Sequence, residues 1–124
     1  MKYVILINAN AAVRELYAAY SDEERAAAFQ SYFDIEAQLE ASGELIESKA
    51  LDDHVQRIVT RGESGPIVTD APLAELTELV SGFYLVDVAD EARAIEIGAG
   101  FPEAAVGAIR VARTLTAEDF AEYQ

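Results

Sequence analysis

Asp70 closes the run "PIVTD" and stands directly before Ala71-Pro72. A carboxylate there can cap the following turn by accepting backbone hydrogen bonds, or, if a cleft opens beside it, take a proton from a bound molecule. His54 is the single histidine in the chain and belongs to the side-chain type that titrates near neutrality, so it is the candidate acid/base partner for Asp70. Its setting, "LDDHV", reads equally as an exposed turn. Arg57 and Arg61 stand at even spacing on one predicted strand. With Arg110 or Arg113 they form a candidate clamp for a ligand carboxylate, against the commoner alternative of ion pairs with the many acids. Tyr3, Tyr32 and Tyr84 are candidates for lining a pocket around an aromatic ligand, their alternative being amphipathic core positions. Asp52-Asp53-His54 lacks a second histidine at ligand spacing and reads as a turn, so no metal and no cofactor is expected.

The whole chain bounds these chemistries. Its 124 residues, 52% of them hydrophobic, suit one domain, residues 1–124, with a core of its own. The absence of cysteine removes disulfides, thiolate nucleophiles and zinc-thiolate sites. Nine basic residues against 23 acidic ones give a net charge of −14, a field that repels phosphate backbones and anionic lipid, so neither nucleic acid nor membrane is an expected partner. The opening "MKYVILINAN" carries too short an apolar run for a signal peptide or a membrane span, and reads as the first strand of a cytoplasmic protein.

Several elements must position the candidate residues. "KYVILIN" is apolar on both alternations, as in a strand covered on both faces. "ANAAVRELYAAY" carries Val13, Leu16, Tyr17 and Tyr20 at helical spacing. In "SDEERAAAFQSYFDIEAQLEASG", Ser21 and Glu24 form a capping box and Gly43 stands at the C-terminal stop, which predicts a helix of roughly five to six turns with Ala26, Phe29 and Phe33 toward the core. "ELIESKAL" and "HVQRIVTR" alternate like strands, and "GESG" turns the chain back into "PIVTD". "LAELTELV" suits a short helical turn and "FYLVDV" a strand. Asp90 caps a helix over "EARAIEIGAGF" with Ala92, Ile95 and Ala99 on its apolar face. "GAIRVART" is the last strand, and Thr116 with Asp119 starts a short terminal helix. This order resembles the ferredoxin-like α+β plan, an antiparallel sheet with two main helices on one face. Its other face, also apolar, is most simply covered by a second copy of the chain, which makes a homodimer the expected assembly.

The stretch "VTDAPLAELTELVSGFYLVDV" also resembles the signature of the DGPF group of the YCII-related domain family, in which an Asp-Gly-Pro-Phe corner precedes an Ala-Glu pair and a Gly-Phe-Tyr strand. Asp70, Pro72, Ala74, Glu75, Glu78, Gly82, Phe83 and Tyr84 carry the likeness, and "MKYVILI", "LEASGELIESKAL" and "GAIRVARTL" extend it over nearly the whole chain. Ala71 and Leu73 replace the glycine and phenylalanine of the corner, Thr77 or a neighbour replaces a lysine, and Tyr32 lies nearest the place of a histidine on the long helix. The resemblance implies a dimeric α+β barrel. It also implies either a cofactor-free acid/base enzyme of isomerase or lyase type, with Asp70 as base and His54 or a tyrosine as partner, or a non-catalytic ligand-binding or regulatory homodimer linked to sigma-factor regulation. A small aromatic or carboxylate ligand is expected in either case.

Overall fold

Tyr3, Ile5 and Ile7 alternate with Val4 and Leu6 along strand β1 (Lys2–Ala9), and the period of two sends the first set beneath the helices and the second to the opposite face of the sheet. The computed structural model describes residues 1–70 and 79–122. Among these, β1 is followed by helices α1 (Ala11–Ala19) and α2 (Asp22–Ser42) and strands β2 (Leu45–Ala50), β3 (Arg57–Gly62), β4 (Gly65–Asp70) and β5 (Leu79–Asp87). Helix α3 (Glu91–Ala99), a 3-10 turn (Pro102–Val106), strand β6 (Ile109–Arg113) and helix α4 (Ala117–Glu122) complete the chain. The main sheet runs β2-β5-β1-β6 and every neighbouring pair is antiparallel. This is the split βαββαβ arrangement of the ferredoxin-like fold, with β3 and β4 inserted as a separate two-stranded ribbon.

Helix α2 starts and stops where its sequence requires. Ser21 Oγ accepts from the Glu24 amide at 3.1 Å and the Glu24 carboxylate accepts from the Ser21 amide at 2.9 Å, so two otherwise orphaned donors are answered at once. Gly43 ends it at φ 77°, a left-handed conformation that a Cβ would strain. The face turned to the sheet is one residue away from the expected stripe. Ala28 and Leu39 are buried, Tyr32 and Ile35 pack on the core, and Phe29 and Phe33 remain 64% and 53% exposed. Positions 28, 32, 35 and 39 keep a spacing of three to four, so the aromatic pair is displaced to the edge of the helix face.

The same shift occurs in α3. Asp90 caps it by accepting from the Arg93 amide at 2.9 Å, but the buried side is Ala94, Ile97 and Gly98, while Ile95 stays exposed. At Gly98 a Cβ would stand 3.2 Å from Ile109 and 3.3 Å from Val111, so the missing side chain lets α3 lie closely against β6. Arg93 grips Glu44 through two hydrogen bonds, 2.9 and 2.8 Å, joining the first turn of α3 to the passage from α2 into β2. These bonds, with a 2.7 Å bond from Ser42 Oγ, hold the Glu44 carboxyl at about 2.

Strand β3 begins at Arg57 rather than His54, because residues 53–55 form a bend, and the His54 amide donates to Asp52 Oδ1 at 2.9 Å. The expected helical turn over "LAELTELV" falls mostly on residues outside the described ones. Its last two, Leu79 and Val80, already belong to β5, paired with Ala9 and Asn8. No helix among the described residues is long and apolar enough to cross a membrane.

The rotation of α3 is testable by truncation. Ile97→Ala should cost about 2–5 kcal/mol by denaturant unfolding, as for a buried Ile losing its branch, whereas Ile95→Ala should stay within about 0.5 kcal/mol of the parent. Equal losses at both positions would contradict this orientation.

Candidate functional site

Three polar side chains from three separate elements meet under the helices. Phe101 is buried and packs against the rings of Tyr84, with centroids 4.9 Å apart, and Tyr32, at 6.0 Å. That anchor, followed by Pro102 at the start of the 3-10 turn, swings Glu103 inward until only 4% of it is exposed. The Tyr32 hydroxyl of α2 donates to Glu103 Oε2. Tyr17 of α1 lies 3.4 Å from the same oxygen, and its hydroxyl is 2.6 Å from that of Tyr32. With the Tyr32 proton committed to Glu103, Tyr17 is the donor between the two phenols. Glu103 Oε1, equally buried, has no hydrogen-bond partner among the described residues.

This knot borders a cavity of about 430 Å³ between α2 and the strands β2, β5 and β1, a size ordinary for a small-molecule site. Phe29 and Phe33, edge to face at 5.4 Å, line it together with Tyr32, Tyr84, Glu36 and Glu103. Ser48 contributes a hydroxyl that donates to Glu36. Ser48 is paired with Tyr84 and Ala50 with Gly82 across β2 and β5, so these four face the cavity together. Gly82 and Ala50 leave the strand side of the cavity without bulky side chains.

Burial sets the ionisation of the phenols. Desolvation is the main cause of the rise at Tyr32, reinforced by its bond to the Glu103 carboxylate, because a phenolate there would face a second negative charge. Tyr17 is raised chiefly by the same burial, and the nearby Glu103 charge adds to the rise. Tyr84 is pushed up to about 12 by desolvation, with smaller contributions from Glu36 and Glu103. All three remain neutral donors at physiological pH.

Of the residues singled out from sequence, the structure brings Tyr32 and Tyr84 together at this cavity. Tyr3 is buried in the core on the same side of the sheet. Asp70, Arg57, Arg61 and His54 lie elsewhere. Asp70 ends β4 with its side chain 81% exposed and its carboxylate ion-paired to Arg57, its cross-strand neighbour. Arg61 borders an open depression along the ribbon with Val59 and Pro66. His54 is exposed in the preceding bend, its Nε2 3.6 Å from Asp53, and Arg113 pairs with Asp119 at 3.3 Å. Sequence reasoning missed Glu103, Tyr17, Glu36 and Ser48. For Glu103 the available signal was a single acid held between the apolar anchor Phe101-Pro102 and the small residues Ala104-Ala105.

The molecule is thus a ferredoxin-like α+β domain with an aromatic cavity and a buried carboxylate beneath its long helix. It belongs to the YCII-related domain family, whose model matches residues 1–116. No curated protein sequence matches the chain significantly.

The tyrosine assignments predict an alkaline titration followed by phenolate absorbance. Tyr17, Tyr32 and Tyr84 should ionise after an ordinary phenol, near pH ~10, and Glu103→Gln should bring Tyr32 and Tyr17 down. Since their folded values are raised, stability should be complete below about pH 10 and fall as pH climbs toward those folded values. An unchanged titration in the variant would remove Glu103 as their partner.

Proposed function

We propose that this protein binds a small, largely apolar molecule in the cavity beneath α2 and that the Glu103 carboxylate exchanges a proton with it, as a metal- and cofactor-free catalyst of isomerase or lyase type. The observation that carries this reading is Glu103, a lining residue of the cavity whose Oε1 is buried without a hydrogen-bond partner among the described residues. A buried acceptor without a donor is costly, and a donor on a ligand in the adjoining cavity would relieve that cost. Tyr32 donates to the other oxygen, with Tyr17 donating to Tyr32 in turn, which fixes the carboxylate's orientation, as a general base requires.

The chemistry follows from these groups. Oε1 takes a proton from an acidic C–H of the ligand, and the electron pair of that bond moves to a neighbouring electron-accepting atom. The Tyr84 hydroxyl stands ready to donate to the charge that develops, because its bond to the Tyr32 carbonyl is long, 3.5 Å, and therefore easily exchanged. Returning the proton at a different carbon gives isomerisation; expelling a leaving group gives elimination. Desolvation by the four surrounding rings strengthens both steps. If the cavity binds without turnover, the same residues serve a ligand-binding or regulatory protein, and chemical change in a bound molecule separates the two.

The test is an NMR fragment screen over small aromatic and aliphatic compounds. Shift changes should concentrate at residues 29–36, 48–50 and 81–84. Glu103→Gln should weaken the best hit by about tenfold or more, the worth of one charge-assisted hydrogen bond, while Asp70→Asn leaves it unchanged. Shifts gathered on residues 57–70 with sensitivity to Asp70→Asn would instead favour the ribbon as the site.

A homodimer is a second proposal with its own support. Val4, Leu6, Phe83 and Leu85 lie on the sheet face away from the helices, paired Val4 with Leu85 and Leu6 with Phe83, and all four are half-exposed. A contiguous apolar strip of this kind suits a self-complementary interface. Sedimentation should give twice the mass of the chain, and Leu6→Glu with Leu85→Glu should give the monomer; a monomeric parent would refute it.

A further inference from the structure

We infer that the ligand of this cavity is an organic cation, an amine with an aromatic or aliphatic body, drawn by the carboxylates of Glu36 and Glu103; this rests on the cavity being the binding site. Four features of the lining converge. Two acidic residues, Glu103 and Glu36, both line the space. Lys49, the one basic residue among the described lining residues, is paired with Phe83, whereas its neighbours Ser48 and Ala50 are paired with Tyr84 and Gly82. Strand alternation therefore sends the lysine side chain to the opposite face of the sheet. No cationic side chain among the described lining residues balances the two acids.

Of the hydroxyl donors that an anionic ligand would need, that of Tyr84 is loosely held, 3.5 Å from the Tyr32 carbonyl, and three others are already engaged. Tyr32 donates to Glu103, Ser48 to Glu36 and Ser81 to the Ile7 carbonyl at 3.1 Å. What the cavity offers is chiefly acceptors and rings. Phe29, Tyr32, Phe33 and Tyr84 present the π surface that attracts ammonium groups, and such attraction grows where water is excluded. Beyond the cavity, a net charge of −14 draws cations toward the protein and repels anions. The volume of about 430 Å³ holds roughly a dozen non-hydrogen atoms, at about 30 Å³ for each water-sized group, which matches an arylalkylamine in size.

Isothermal titration at low ionic strength with 2-phenylethylammonium, 2-phenylethanol and 3-phenylpropanoate tests the charge requirement. The ammonium should bind about tenfold or more tightly than the alcohol, and the carboxylate weakest. Glu103→Gln should erase the ammonium's advantage while leaving the alcohol unaffected, and Glu36→Gln, at a half-exposed position tolerant of change, should reduce it by a smaller factor. Alcohol or carboxylate binding as tightly as the ammonium, or an ammonium affinity indifferent to both substitutions, would overturn the inference while leaving the cavity as the binding site. Failure of all three probes to bind would overturn the cation inference, and the fragment screen would then decide the cavity reading separately.

Discussion

A carboxylate that is 4% exposed constrains everything packed around it. Removing an ionised acid from water costs several kcal/mol after relaxation, and the fold meets that demand with phenols instead of a cation. Tyr17 comes from α1, Tyr32 from α2 and Glu103 from the turn after α3, so one cluster joins the three segments that cover this side of the sheet. The cluster in turn needs Phe101, whose ring packs beside both Tyr32 and Tyr84. Because the two hydroxyls meet the carboxylate at a single oxygen, the packing secures the side chain and leaves its other oxygen unanswered. The fold thus holds one atom of the group and leaves the other without a partner.

The ribbon of β3 and β4 obeys a different constraint. Its strands pair with each other and not with the main sheet, and Ile58, Val59, Ile67 and Val68 are all about half or more exposed. An isolated two-stranded ribbon gains little stability from its own ladder. The Arg57 and Asp70 ion pair at its base is too exposed to add much. What keeps the ribbon attached is its position between β2 and β5, helped by Gln56, whose amide donates to the Val80 carbonyl at 2.8 Å. Asp70 and the arginines therefore occupy the part of the molecule with the weakest packing, a poor support for groups that must be held in fixed geometry during a reaction.

The parts of the fold governed by local rules were legible in the sequence. Ser21 with Glu24, Gly43, Asp90 and Thr116 with Asp119 marked helix ends because capping depends on residues three positions apart. The ferredoxin-like order followed from the alternation of strands and helices. Helix rotation was not legible. Phe29 and Ile95 fit an apolar stripe as well as Tyr32 and Ile97 do, and only contact with β1, β5 and β6 decides which face turns inward. Tyr32 and Tyr84 were recognisable as candidate lining residues. Glu103 was hidden because nothing in "FPEAAVG" has periodicity, and an acid between apolar residues usually points to solvent. Its burial comes from long-range partners, 71 and 86 residues away in sequence.

The misplaced stripe has a functional counterpart. Had α2 turned Phe29 and Phe33 into the core, their rings would fill the space between helix and sheet. With the helix rotated by one residue, the smaller Ala28 and the hydrogen-bonded Tyr32 take those positions, and the two phenylalanines border the cavity while remaining largely exposed. Leaving two such rings uncovered forgoes on the order of 1.5–3 kcal/mol for each that full burial would supply. Pairing the rings edge to face at 5.4 Å recovers part of that loss, and an apolar ligand would recover more by covering them. Glu103 Oε1 poses the same problem in polar form, an acceptor that the fold leaves unsatisfied. Both deficits belong to residues that line one cavity, and a single molecule with an apolar body and a donor group would answer both.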